Sequence, residues 1–374
     1  MGAGGVGLDG GPRHGVSACE RCLARGWLEA TLSGHLDLVR ARIHDVLDLG
    51  DDRLIDALGG DCKQELRRGL AVFDAARARE RVAAAGLESV CGCDPRYPPM
   101  LTGLSRPPAL YVAGGLERCL ALLGSDPVAI VGARRASAYG LDVARALGRG
   151  LASSGVTVIS GMAFGIDSQA HAGALAGGGA TVAVMPGSAD RPYPASKRKL
   201  HRDIVAAGAA VSALPPGAEI RRWMFPARNR IIAALSAITI VVEAGMRSGS
   251  LVTARCASEL GRPVGAVPGQ VTAPRSAGPN ALLADGARVV RDAQDVLDAL
   301  FGAGVRTAST ESRGELDLEQ SAVLAEIASG DDSAEALARA GVPPGRGLSV
   351  LASLELAGYI RRGPGGRFTV VPGV

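Results

Sequence analysis

Aromatic residues are scarce in this sequence: two tryptophans, five tyrosines and five phenylalanines among 374 residues. Aliphatic side chains must therefore build the core, and any ring beside a polar loop becomes a candidate for stacking on a ligand. Long apolar runs are missing too. None approaches the ~20 residues of a membrane span, and the glycine-rich opening lacks the apolar centre of a signal peptide. A cytoplasmic protein with no membrane partner is expected. There is no Walker pattern, no GxGxxG fingerprint, no convergent Ser/His/Asp or Cys/His set and no carboxylate cluster suited to magnesium. These gaps predict a protein that is not an enzyme and carries no cofactor.

The seven cysteines form no regular framework, and their odd number suits reduced thiols rather than disulfides. Cys19-x-x-Cys22 and Cys91-x-Cys93 could together hold zinc. The second pair is tightly spaced and no further Cys/His pattern supports it, so ordinary thiols are expected and no metal.

What is present describes a folded chain: 47% hydrophobic and 21% charged residues, at a length that suggests two or three domains. Net charge is only +4, but residues 126–236 hold 13 Lys/Arg against 6 Asp/Glu, while residues 312–374 hold 6 against 8. A basic middle is the footprint of a polyanion binder.

Residues 1–15 read as a flexible tail and residues 16–95 as a small helical domain, with Leu36, Val39, Ile43 and Leu47 at helical spacing. The Pro-rich stretches Asp94–Leu101 and Arg106–Val112 read as an extended bridge. Residues 96–301 then alternate short Val/Ile-rich strands ("VAIVG", "VTVIS", "TVAVM", "AAVSA", "AITIVVEA", "PVGAVPG") with helical stretches. Strands of continuous apolarity are covered on both faces, so an α/β fold with a doubly wound, Rossmann-like parallel sheet is predicted, its ligand beyond the C-terminal strand ends. Residues 302–316 read as a linker, and 317–374 as a C-terminal winged helix of short helices followed by two strands.

Four loops should meet on one rim of such a sheet. "VGARRAS" offers Gly132 for close backbone approach and Arg134 as a bidentate donor. "SGMAFGIDSQAH" offers Ser160 and Gly161, with Asp167 as a helix cap or a partner for an arginine and His171 as packing. "DRPYPASKRKL" offers Lys197, Arg198 and Lys199 beside Tyr193. "FPARNRII" places Arg228, Asn229 and Arg230 at a helix start, where residues two apart point to roughly opposite sides. One arginine should meet phosphate and the other pair internally, with Glu243 or Asp167 as candidates. Ser248 and Gly249 begin another helix and a second nest of N–H groups, and Tyr193, Trp223 and Phe225 are candidate stacking rings.

The ordered run "VAIVGARRASAYG", "SGMAFGIDSQAH", "YPASKRKL", "FPARNRII", "VVEAGMRSGSLVTARCA", "AVPG" and "GPNALLADGA" closely resembles the bacterial DNA-processing protein A (DprA/Smf) family. The lead-in "DPRYPPML" and the C-terminal region resemble the same family, and the N-terminal helices are similar in style to its SAM-like or helix-hairpin-helix module. The resemblance implies an extended Rossmann domain that binds and protects single-stranded DNA, a homodimer, and a strand-exchange recombinase as partner in natural transformation. It places phosphate contacts on Gly132, Arg134, Ser160, Gly161, Lys199 (or Lys197 or Arg198) and Arg228–Arg230.

A rival expectation comes from Glu243 followed by a Gly/Ser turn, where a phosphoribohydrolase on a related Rossmann sheet would put its catalytic carboxylate. A transcription factor reading DNA through the winged helix would need a basic recognition helix. Residues 345–356 supply Arg346 alone.

Overall fold

The short apolar segments become parallel strands because both of their faces have helices to meet. A computed structural model describes residues 17–308, 316–339 and 342–371. The strands are β1 (Glu88–Val90), β2 (Leu110–Ala113), β3 (Val128–Val131), β4 (Val158–Ser160), β5 (Thr181–Val184), β6 (Ala209–Ser212), β7 (Ile238–Val241), β8 (Val264–Ala266) and β9 (Arg288–Val289). They form one sheet in the order β1-β2-β6-β5-β4-β3-β7-β8-β9. From β6 to β9 the pairing is parallel, whereas β2 adds to β6, and β1 to β2, antiparallel. The chain winds outward from β3 through β4, β5 and β6, then returns to place β7 on the other side of β3. That reversal opens a crevice at the C-terminal strand ends, where α/β sheets take their ligands.

Alternation along the strands divides the core. Val128, Ile130, Val158, Ile238 and Ile240 face the helices Ala138–Ser153, Ile166–Ala176 and Ala293–Phe301 through Val143, Leu147, Ile166 and Val296. Ala129, Val131, Ile159, Val182 and Val241 face the opposite side with Ile231, Ile232 and Ala254, from the helices Met224–Ala234 and Gly249–Glu259.

The N-terminal residues form the helices Glu20–Thr31, Ser33–Leu38, Ile43–Leu47, Asp51–Leu58, Lys63–Ala71 and Ala75–Ala84. Leu28, Leu36, Leu54 and Ile55 of this unit pack on Leu214, Trp223 and Met224 of the sheet domain. β1 (Glu88–Val90), within the stretch read as helical, pairs with β2 on the main sheet. The stretch read as an extended bridge supplies β2. The expected tail lies outside the described residues, as do residues 309–315 of the expected linker.

The fold brings the two cysteine pairs together. The sulfurs of Cys19, Cys22, Cys91 and Cys93 all lie within 4.8 Å of one another. Their tight spacing in sequence is offset by docking: the Ala18 N–H donates to Ser89 Oγ at 3.1 Å, which brings the start of the first helix onto β1.

Beyond the sheet domain, the helices Leu318–Ser329, Ala334–Arg339 and Pro344–Leu356 pack with the hairpin β10 (Ile360–Arg362) and β11 (Phe368–Val370). Val323, Ile327, Leu351, Leu354 and Phe368 give this winged helix its own core. Arg361 reaches Asp142 of the sheet domain at 2.6 Å.

Candidate nucleic-acid interface

The loops leaving β3, β4, β5 and β7 meet at the crevice, and each is fixed by backbone contacts. The Ala133 N–H donates to the Glu243 carbonyl at 2.6 Å and the Ile166 N–H to the Ala133 carbonyl at 3.3 Å. Gly132 is needed for this closeness, since a Cβ there would lie 2.6 Å from Ile166 and 2.9 Å from the Glu243 carbonyl. At Gly161 the constraint is harder: a Cβ would sit 1.5 Å from an Arg228 nitrogen. Both glycines make room for neighbouring protein atoms. The Ser160 hydroxyl also turns inward, donating to the Ile130 carbonyl at 2.6 Å, so it serves the sheet rather than a ligand.

Beneath the rim lies a buried charge system. Arg228 is 7% exposed and Asp167 is 5% exposed. Burial pushes the Asp167 carboxyl above the ordinary range, opposed by the Arg228 charge and by backbone N–H groups of Ala163, Gly132 and Gly161. Burial also pushes the Arg228 guanidinium down to about 10, with Asp167 opposing and the Arg134 charge adding to the depression. One Arg228 nitrogen donates to the Val184 carbonyl at 3.0 Å, while its buried Nε has no hydrogen-bond partner among the described residues. Arg228 thus sets the positive floor of the site.

The rest of the triplet corrects the reading made from the sequence. The helix begins at Met224, one turn earlier than expected, so Arg228 lies in its second turn. Arg230 turns away from the rim and pairs with both oxygens of Asp48 in the N-terminal unit, at 2.8 and 3.0 Å. Asn229 donates to the Gly249 carbonyl at 3.0 Å, clamping the loop after β7 to this helix. In that loop Ser248 caps the helix Gly249–Glu259, its hydroxyl 2.7 Å from that of Ser250. Gly249 is exposed at the helix start.

Glu243 joins neither arginine. Its carboxylate accepts from the Ser137 N–H at 2.8 Å and from the Ser137 hydroxyl, and Gly140 presses against it. It is 4% exposed and anchors the start of the helix Ala138–Ser153. A carboxylate with both oxygens engaged and no open face is badly placed to attack or protonate a nucleotide, which removes the basis of the phosphoribohydrolase reading. Trp223 is buried as well; its indole donates to Ser33 at 2.9 Å across the domain contact, so it cannot stack on a ligand.

At the loop edge cations lie beside rings, with Arg134, Phe164, Arg198 and Lys199 exposed and Tyr193, Lys197 and Phe225 half-buried. Arg134 is exposed and lies over the Phe225 ring at 5.1 Å, and Phe225 meets Tyr193 at 5.4 Å between centroids. Lys197 lies 5.6 Å from the ring of Phe164, which is 45% exposed. Arg198 and Lys199 are exposed at the start of the helix Arg198–Ala207, where the helix dipole disfavours cations until an anion arrives. Lys199 is tied to Asp203 at 2.9 Å, which favours Lys197 and Arg198 as the readier donors. Two rim residues escaped the sequence reading. Phe164 could have been found as an aromatic between two loop glycines. Arg275, which donates to the Arg135 carbonyl at 2.6 Å, comes from a loop far along the chain and carried no local signal.

Fold and rim together define a Rossmann-type protein with a cationic, ring-bearing loop edge and an appended winged helix. Residues 88–301 match the family model described as DNA recombination-mediator protein A, and residues 307–366 match the DprA winged helix domain. The chain belongs to the DNA recombination-mediator protein A (DprA) family. A relative from Mycobacterium tuberculosis bearing the DprA name is 43% identical over 237 residues, covering 62% of this chain and 61% of its own length. The chain therefore spans about three-fifths of that relative. The solved DprA structure from Streptococcus pneumoniae superposes with a TM-score of 0.61 at 31% identity, covering 76% of this chain and 99% of the other. For Helicobacter pylori DprA, a structure concerned with its single-stranded DNA binding mode, the TM-score is 0.51 at 30% identity, covering 58% and 97%.

Proposed function

We propose that this protein binds unpaired DNA across the rim of its parallel sheet, shields it, and helps pass it to a strand-exchange recombinase, acting as a homodimer without chemical turnover. One observation carries the DNA part: cations sit beside aromatic rings at the loop edge, Arg134 over Phe225, which meets Tyr193, and Lys197 beside Phe164. Guanidinium and ammonium groups meet successive phosphates, while exposed rings stack on bases, and bases present their faces only when the strand is single. Every base has such a face, so little sequence preference follows. The recombinase, the dimer and the setting in natural transformation rest on family membership and on the resemblance of the ordered loops.

The test is competition. A fluorescent oligo-dT bound to the full-length protein is challenged with unlabelled single strand or with duplex of the same length at one salt concentration. Single strand displaces it at far lower concentration if the reading holds; equal competition by duplex would refute stacking as the basis of binding.

A further inference from the structure

We propose that Cys19, Cys22, Cys91 and Cys93 form a structural tetrathiolate zinc site that ties the N-terminal helical unit to the first strand of the sheet. The four sulfurs come from two segments of the chain and lie within 4.8 Å of one another. Tetrahedral zinc, with Zn–S near 2.3 Å, sets its sulfurs roughly 3.8 Å apart. The Cys19 and Cys93 sulfurs are already at 3.6 Å, far beyond a disulfide bond, and all four are free thiols.

Local structure explains how each ligand is presented. Cys19 is the N-cap of the helix Glu20–Thr31, with no side-chain capping bond, and Cys22 follows three residues later in the first turn. That spacing puts both thiols on one side of a helix start. Cys91 and Cys93 follow β1, in a turn closed by the Asp94 N–H donating to the Cys91 carbonyl at 2.9 Å. The surroundings suit an anionic metal centre. The Cys19 N–H donates to the Cys91 sulfur at 3.3 Å, and an Arg21 nitrogen lies 3.8 Å from the Cys93 sulfur. A zinc tetrathiolate carries two negative charges, and such N–H and guanidinium donors offset them. Cys91 is 2% exposed and belongs to the same buried cluster as Leu23, Leu87 and Ala109. Four sulfur ligands and no nitrogen or oxygen ligand favour zinc over the harder divalent ions.

The consequence is mechanical. The helical unit also holds the helix Met224–Ala234 through Trp223 and Arg230, so the metal would brace the second support of the element that carries Arg228.

The experiment uses the full-length chain, purified under reducing conditions without chelator, with metal content measured by plasma mass spectrometry. About one zinc per chain is expected. Mercurial titration of the thiols should release it to a chromophoric chelator, and the thermal midpoint should fall after release. Cys62→Ser, at an exposed cysteine outside the cluster, should keep the metal, while Cys93→Ser should lose it. Because ligand variants can misfold, cobalt exchange into the native chain gives a second readout: the visible bands of tetrahedral tetrathiolate Co(II). The proposal is overturned if the native chain holds less than about half an equivalent, if Cys19 and Cys93 are recovered as a disulfide, or if the cobalt spectrum shows oxygen or nitrogen ligation.

Discussion

Single side chains at the rim divide into those exposed at its edge, proposed to meet the strand, and those buried beneath it. Phe164 is of the first kind: Phe164→Ala should weaken oligo-dT binding by about 1 kcal/mol or more, with thermal stability unchanged; equal affinity in fluorescence anisotropy would contradict its stacking role. Asp167 is of the second kind. Removing one member of a buried charge system leaves the other uncompensated, so Asp167→Asn should cost about 3 kcal/mol in urea unfolding. His171 adds a pH dependence. Burial pushes its imidazole down to about 3, the Ser160 carbonyl opposing and the Arg228 charge assisting, while its Nδ1 meets Thr181 at 2.8 Å. The unfolded imidazole titrates near 6.5, so between these values the unfolded chain binds a proton that the folded chain refuses. Stability from this residue is intact above about pH 6.5 and falls towards pH 3 by up to ~1.4 kcal/mol per pH unit. A His171→Asn variant should show a shallower acid slope in denaturation series at pH 7, 6 and 5; an identical slope would assign the loss elsewhere.

At the scale of elements, the helix Met224–Ala234 explains why its three polar residues have three different jobs. Arg228 points under the sheet, Asn229 to the next loop and Arg230 to the helical unit. Asp48→Asn should therefore loosen the N-terminal unit, seen as faster limited proteolysis near residues 85–88, and leave the rim's own contacts in place. Unchanged proteolysis would mean that the Trp223 contact alone carries the docking. Much of this architecture was legible in the sequence. The six Val/Ile-rich strands and the helices between them announce themselves because burial on both faces leaves continuous apolar runs. The bias of positions 134 and 197–199 towards the rim was legible for the same reason: in a parallel sheet, loops after strands share an edge. What could not be read were partners from distant segments. Asp48 for Arg230, Ser137 for Glu243 and the meeting of Cys19 with Cys93 depend on how separate elements dock, and no local pattern encodes that. The two short antiparallel strands β1 and β2 were hidden by their proline-rich neighbours.

Across the whole molecule, charge separates the binding face from the appended domain. The recognition helix Pro344–Leu356 of the winged helix bears Arg346 as its described basic residue, and its surroundings lean acidic. Arg346→Ala should leave oligonucleotide affinity unchanged in fluorescence anisotropy; a marked loss would show that this helix meets DNA. The proposed role of the sheet rim predicts the opposite, because cations that meet phosphates release condensed counterions. Oligo-dT affinity followed across a salt series, for the native chain and for Arg134→Ala, tests this most directly. The native chain should give a steep negative slope of log affinity against log salt, roughly 0.7 per phosphate neutralised, and Arg134→Ala should lower the affinity and flatten the slope by about that amount. A native slope near zero, or an Arg134→Ala slope equal to it, would show that the rim does not meet a nucleic-acid backbone.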